Sequence, residues 1–408
     1  MLIVQGLVGM AAIILAGFLL CSDKKHINWR AVGGAFAIQL TLGALVLYFP
    51  PGKVALEAIA GVVITMLGYA QAGMDFLFGS FASTDYGFVF ALQVLPIIVF
   101  FASLIGVLYH LGIMERIVQL IGGFIQLALG TSKAESMAAA TNIFIGQSEA
   151  PIAIKPFLSK MNRSEMFAVM VGGMATVSGS VLGGYAAAGV EMQYLIAASF
   201  MAAPAGLMMA KLIKPEVELV NSDAAQVHED IMEHRAVNVI DAAAQGALQG
   251  MQLAFAIGAL LLAFIGLIAM MNGIVGWFGD LFGIEGLTLQ QILGYLFQPV
   301  AWLIGVPWDE TRQVGSLLGQ KFMLNEFIAY LDFVANHQNL SPRTQAIVTF
   351  ALCGFACLSS IAIVVGGIGV LVPERREEMS QLGLLAVVAA TLANLMSATI
   401  AGIMISLQ

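Results

Sequence analysis

The sequence predicts an all-α polytopic membrane protein built as an inverted repeat, with two re-entrant hairpins and discontinuous helices. Composition is the first observation behind this. Of 408 residues, 60% are hydrophobic and 10% charged, with a mean hydropathy of +0.92, which lies far outside the range of soluble domains. The second is a polar hexapeptide, Gly146-Gln147-Ser148-Glu149-Ala150-Pro151, set between the apolar runs 137–145 and 152–158. An ionisable group at membrane depth is costly and marks function by default. The flanking runs are about half of the ~20 residues needed to cross a bilayer, so a hairpin with its tip near the midplane fits them. The third is a second interrupted segment of the same kind, 309–336, which carries Asn325 and Glu326.

Apolar stretches separated by short polar loops require helices, because in lipid each backbone group must be satisfied within its own segment. In chain order the predicted spans are about 2–21, 31–49, 88–110, 165–188, 192–213, 250–272, 344–371 and 380–406, with hairpins at 133–160 and 309–336. The N-terminal stretch lacks a basic leader and a small-residue cleavage site, so it is expected to be the first transmembrane helix. The stretch 53–80, interrupted by Glu57, Gln71 and Asp75, is expected to lie in the interface. Segments 113–129 and 275–305, with Gly and Trp at interface depth, are expected to do the same. The polar stretch 215–245 is expected to be a solvated helix linking two halves. The expected organisation is scaffold and interfacial helices over 1–130, a first transport repeat over 131–213, linker, scaffold span and interfacial helix over 214–305, and a second transport repeat over 306–408.

Basic residues orient this layout. Lys24, Lys25 and Arg30 place the first loop inside; Arg116, Lys133, Lys160, Arg163, Lys211, Lys214, Arg375 and Arg376 then fall on the same side, as the positive-inside rule asks. Both termini are external in that scheme, as is the second hairpin, with Arg312, Lys321 and Arg343 as its few positive charges. The net charge of −8 reflects mostly the one polar segment, and nothing supports nucleic-acid binding. Cys21, Cys353 and Cys357 sit at or inside apolar segments, where a free thiol acts as a small hydrophobe; no disulfide framework and no cysteine metal site is expected.

Three spans between the hairpins make them enter from opposite faces, which defines an inverted repeat. Local sequence agrees. Glu149 precedes Ser164 by fifteen residues, and Glu326 precedes Ser341 by fifteen. Thr176-Val177-Ser178-Gly179-Ser180 corresponds to Ala356-Cys357-Leu358-Ser359-Ser360, each a hydroxyl-bearing break in an apolar helix. Such repeats are the architecture of secondary transporters, with the substrate at the repeat interface. Expected to converge there are Gln147, Ser148, Glu149, Asn325, Glu326, Thr176, Ser178, Ser180, Ser359 and Ser360, with Phe355 as an aromatic face. Amides, carboxylates and hydroxyls suit a neutral, hydroxyl-rich solute with a planar ring, and hydroxyls with free carbonyls can ligate a hard cation. A dianion is disfavoured because neither tip carries Arg or Lys.

Residues 146–151, Ser-Gly-Ser-Val-Leu-Gly-Gly-Tyr at 178–185, Asn325-Glu326-Phe327, and Cys353-Gly354-Phe355-Ala356 before Leu358-Ser359-Ser360 together resemble the concentrative nucleoside transporters. The resemblance spans almost the whole chain. It implies that family's fold, a homotrimer with an elevator-like transport domain, location in the cell inner membrane, and import of nucleosides such as uridine by symport with sodium. It further implies Gln147 and Ser148 as nucleobase contacts, Glu149 as a base-side contact through water, Val181 as apolar wall, Glu326 and Ser360 as ribose contacts, and Phe355 packed on the ligand. For sodium it implies Asn142, Ile145, Thr176 and Val177, through backbone carbonyls and polar side chains. The sequence departs from the family at Cys357, where Asn is usual. A thiol lacks an amide's two-sided hydrogen bonding, which bears on ribose recognition and on the choice of nucleoside.

Other readings of these residues remain open at this point. Ser178, Ser180 and Ser359 can bond a neighbouring helix, Glu149 and Glu326 can hold their hairpins, Asn142 can cap a turn, and Phe355 can be core. A proton-coupled symporter would titrate Glu149 or Glu326 in place of binding a cation. An intramembrane hydrolase would use Ser148 as nucleophile and Lys155 as base, although neither hairpin has a His in its apolar parts.

Overall fold

A computed structural model of the chain describes residues 2–82, 89–147, 150–216 and 236–408. The described residues are helical throughout, without strands. The first helices are α1 (Leu2–Leu19), α2 (Trp29–Gly43), α3 (Pro50–Phe78), α4 (Phe90–Gln93), α5 (Leu95–His110) and α6 (Ile113–Leu129). The first repeat follows: α7 (Lys133–Asn142) and α8 (Lys155–Leu158) are the arms of hairpin 1, and α9 (Arg163–Ala175) and α10 (Gly179–Ala187) form a helix broken at 176–178. Next come α11 (Met192–Ile213), α12 (Val239–Leu281) and α13 (Leu289–Leu303). The second repeat has the same order, with α14 (Thr311–Met323) and α15 (Glu326–Asn336) as hairpin 2 and α16 (Pro342–Leu352) and α17 (Leu358–Leu371) as a helix broken at 353–357. The final helix is α18 (Arg376–Ser406).

Local sequence explains where the repeat elements start. Ser132 and Glu135 form a reciprocal capping box at the start of α7, and Asn162 and Glu165 form one at the start of α9, each satisfying two orphan donors. Asn325 opens α15 by accepting from the N–H of Ile328 at 2.9 Å. The breaks that begin α10 and α17, at Ser178 and Cys357, have no side-chain cap. At the first break the N–H of Gly179 is met instead by a main-chain carbonyl, that of Phe144.

Eight helical stretches among the described residues are long and apolar enough to cross a membrane, by length and composition. They include 50–82, which the sequence places flat in the interface; Glu57, Gln71 and Asp75 do not interrupt α3, and Gln71 Nε2 donates to Asp75 Oδ1 one turn on, at 2.8 Å. Stretch 344–371 is not among the eight, because residues 353–357 divide it. Of the polar stretch 215–245, residues 217–235 lie outside the described ones, and from Val239 the chain is already α12, a 43-residue helix.

The helices sort by burial. The windows over 163–187 and 192–213 are 94% buried, whereas that over α12 is 17% buried. Helix α12 packs along α5 by close approach of small residues: a Cβ on Gly246 would stand 2.6 Å from the Ala102 carbonyl, and one on Gly250 would stand 2.8 Å from Val99 Cα. The repeat helices, α11 and α18 thus make the core, and α5 with α12 makes a peripheral pair whose outer face is apolar and exposed at Phe255, Leu262 and Trp277.

Candidate functional site

Both hairpin tips and both breaks are joined by a closed ring of hydrogen bonds. From hairpin 1 to the first break, the N–H of Gly179 donates to the carbonyl of Phe144 at 2.9 Å. From there to hairpin 2, the Tyr185 hydroxyl donates to Glu326 Oε1 at 3.0 Å. Hairpin 2 meets the second break where Ser359 Oγ donates to the Leu324 carbonyl at 3.4 Å. The ring closes where Gln147 Nε2 donates to Ser360 Oγ, also at 3.4 Å. The breaks also touch directly, since the N–H of Phe355 donates to the Thr176 carbonyl at 3.2 Å.

Most of the predicted substrate residues lie on or beside this ring. Gln147 is 6% exposed and its Oε1 has no hydrogen-bond partner among the described residues. Val181 is fully buried on α10, and Phe355 is half-buried between the breaks. Glu326 is 5% exposed, under an aromatic wall in which the Tyr185 ring lies 4.6 Å from both Phe327 and Tyr330. Cys357 is buried, its Sγ 3.2 Å from Ser359 Oγ and from Ser360 Oγ. Ser148 and Glu149 lie outside the described residues. Lys155, the base of the hydrolase reading, is exposed at the start of α8.

Asn142, the last residue of α7, is 1% exposed, and its Oδ1 accepts from no donor among the described residues. It faces the end of α9, where a Cβ on Gly172 would stand 3.4 Å from Asn142 Nδ2 and one on Gly173 3.9 Å from Asn142 Oδ1. Thr176 is buried and donates its hydroxyl proton to the Gly172 carbonyl at 2.8 Å, which leaves the oxygen's lone pairs available. Val177 is fully buried and Ile145 half-buried in the turn that follows α7. Among the described residues no three His, Cys, Asp or Glu side chains group as metal ligands. The side-chain oxygens of Asn142 and Thr176 are neutral ones, which suit a monovalent cation better than a divalent one.

Sequence reasoning missed two residues and misplaced a third. Asn394 on α18 donates through Nδ2 to the carbonyls of Ala175 (2.7 Å) and Cys353 (3.1 Å), fastening the ends of both broken helices. Lys321, counted above as a charge of the external face, is instead 2% exposed inside hairpin 2; its Nζ donates to the Ala351 carbonyl and to Asn394 Oδ1, each at 2.8 Å. An amide in the middle of an otherwise apolar last span was the available signal for Asn394. Tyr185 stood in a motif, but its bond to Glu326 crosses 141 residues of chain.

Comparison with known proteins bears on this arrangement. Models of the Na+ dependent nucleoside transporter match residues 8–81 for its N-terminus and 194–402 for its C-terminus, and a nucleoside-recognition gate model matches 91–192. The chain is 51% identical to an uncharacterized transporter of Haemophilus influenzae, over 100% of this chain and 99% of that one. It is 48% identical to the nucleoside permease NupC of Helicobacter pylori, over 98% of this chain and 97% of that one. In fold it is similar to CNTnw in an inward-facing substrate-bound state, with TM-score 0.95 and 52% identity over 100% of this chain and 99% of that one. A substituted CNTnw in an outward-facing state gives 0.97, at 52% identity over the whole of both chains. The proteins so matched are transporters and permeases, not enzymes, and the described chain is a multi-pass membrane protein of the same construction. The chain belongs to the concentrative, Na+ dependent nucleoside transporter family.

Proposed function

We propose that the chain imports nucleosides across the cell inner membrane by sodium symport, with the core helices moving as one body past a scaffold that includes α5 and α12. The observation that carries the sodium assignment is the buried, unpartnered Oδ1 of Asn142. A buried acceptor without a donor costs about 1–3 kcal/mol. A cation held by Asn142, the Thr176 hydroxyl and the main-chain carbonyls of Ile145 and Val177 removes that cost. The same tip then presents Gln147, whose Oε1 likewise has no partner among the described residues, with Ser148 to the nucleobase. Glu149 serves the base side, Val181 and Phe355 enclose the ring, and Glu326, Cys357 and Ser360 meet the ribose.

Coupling follows from shared parts. The tip that would carry the cation also carries Gln147, and the ring of bonds ties it to Glu326 and Ser360. Each ligand favours the arrangement the other needs, and the effect is reciprocal. The exposed apolar face of α12 suits packing between copies, and the assembly we propose is a homotrimer.

Uptake of radiolabelled uridine into proteoliposomes tests this under an inward sodium gradient, against potassium and an inward proton gradient at matched ionic strength. Sodium alone should drive accumulation. Accumulation driven only by protons would refute sodium coupling and move it to a carboxylate such as Glu326.

A further inference from the structure

The two repeats treat their helix breaks differently. In the first, the arm α7 ends on Asn142, whose Oδ1 faces the end of α9 without a donor among the described residues. In the second, Lys321 lies two residues before the end of the corresponding arm α14, and its ammonium reaches the end of the corresponding helix α16. There it contacts one main-chain carbonyl, Ala351, and one asparagine oxygen, Asn394 Oδ1, each at 2.8 Å. That pairing of a main-chain carbonyl beside a helix break with an Asn side-chain oxygen repeats two members of the donor set assigned above to the transported cation. No carboxylate of the described residues lies within ion-pair distance of Lys321. At contact distance its charge is met by neutral oxygens and by the negative end of α16, as a bound metal ion's would be, with the Glu326 carboxylate acting on it from beyond contact.

We propose that the Lys321 ammonium is a tethered cation standing, at the break of the second repeat, where the transported ion stands at the break of the first, so that each nucleoside moves with a single sodium ion. The inference rests on the sodium reading above. Three features of the geometry support it. Lys321 fills the second break's oxygens permanently, so no exchangeable ion can enter. Asn394 connects the two cation positions, because the amide that accepts from Lys321 donates to the Ala175 carbonyl, one residue before Thr176. A covalently held charge also travels with the moving body and supplies no energy from the ion gradient, which leaves the first break as the coupled site.

The test uses the full-length protein in proteoliposomes and reads the ratio of radiolabelled sodium to uridine taken up, together with the sodium dependence of uridine binding. In the parent chain the ratio and the slope of sodium activation should both be about one. Lys321→Gln removes the charge and adds an amide oxygen at the same place, and should raise the slope of sodium-dependent binding towards about two. Lys321→Arg, which keeps a cation, should hold it at about one. A purely structural role for Lys321 would lower thermal stability without changing the slope, so a folded Lys321→Gln protein with the parent slope overturns the inference. Should Lys321→Gln fail to fold, the parent ratio decides, and two sodium ions per nucleoside overturns the inference alone. Uptake by the parent without any sodium dependence overturns the symport reading and this inference with it.

Discussion

The main-chain N–H of Phe355 donates to the carbonyl of Thr176 over 3.2 Å, which makes the two helix breaks of the inverted repeat one hydrogen-bonded unit. Asn394 secures that unit from α18 by donating to Ala175 and Cys353, and Lys321 secures Asn394. Displacing one break alone would strand buried polar groups at about 1–3 kcal/mol each. Both breaks and both hairpin tips therefore move together or not at all.

Gly354 is where this unit is most tightly closed. A Cβ there would stand 2.3 Å from Asn394 Oδ1 and 2.6 Å from the Ala175 carbonyl, and neither can retreat without losing a bond. Gly354→Ala should cost about 1–3 kcal/mol from overpacking and sharply reduce uridine uptake. Thermal unfolding in detergent reads the first effect; a variant that melts with the parent would show that the breaks are not joined as described.

Tyr185 has no exposed surface, and its hydroxyl holds Glu326 Oε1 at 3.0 Å. Tyr185→Phe keeps the ring packing on Phe327 and Tyr330 and deletes only the donor. A hydrogen bond to a charged group contributes about 1.5–3 kcal/mol, and the carboxylate assigned to the ribose loses its orientation with it. Uridine affinity by calorimetry should fall at least about tenfold, and equal affinity would remove Glu326 from the ribose contact.

Asn142→Ala deletes the unpartnered oxygen and leaves the hairpin's capping box untouched. The sodium concentration for half-maximal uridine binding should rise by roughly tenfold or more, the equivalent of losing about 1.4 kcal/mol. Binding at saturating sodium should change little, because no base or ribose contact is removed. An unshifted sodium midpoint would move the cation elsewhere.

Cys357 is 1% exposed and within 3.2 Å of the hydroxyls of Ser359 and Ser360. The thiol is a weak donor and acceptor in a position assigned here to the ribose. Cys357→Asn should tighten ribose recognition, read as a lower uridine dissociation constant relative to 2′-deoxyuridine. Equal discrimination between the two would count against a ribose contact at this position.

The sequence disclosed most of the architecture because membrane constraints are severe. Ten-residue apolar arms cannot cross, carboxylates within apolar segments mark function by default, and the hydroxyl-bearing breaks at 176–180 and 356–360 interrupt otherwise apolar helices. Long-range polar pairing was not legible. Nothing in the neighbourhood of Lys321 distinguishes a lysine facing water from one clamped on Ala351 and Asn394, 30 and 73 residues away. The length of α3 was also hidden, because an i,i+4 pair such as Gln71 and Asp75 is satisfied within a helix while it lowers the local hydropathy.

The last prediction concerns the base of hairpin 1. Glu135 on α7 and Lys211 on α11 form an ion pair with side chains 0% and 4% exposed, and Lys211 Nζ also lies 3.4 Å from Ser164 Oγ and from Glu216 Oε2. Removing one partner leaves a buried charge uncompensated, so Lys211→Met alone should destabilise by about 3–5 kcal/mol. Changing Glu135→Gln and Lys211→Met together removes both charges while keeping a side-chain oxygen for the capping box of α7, and the double variant should recover most of that loss. The shortfall of the double variant's destabilisation from the sum of the two single ones is the readout. If the double variant is as unstable as the sum of its parts, the pair is not what anchors hairpin 1 to α11.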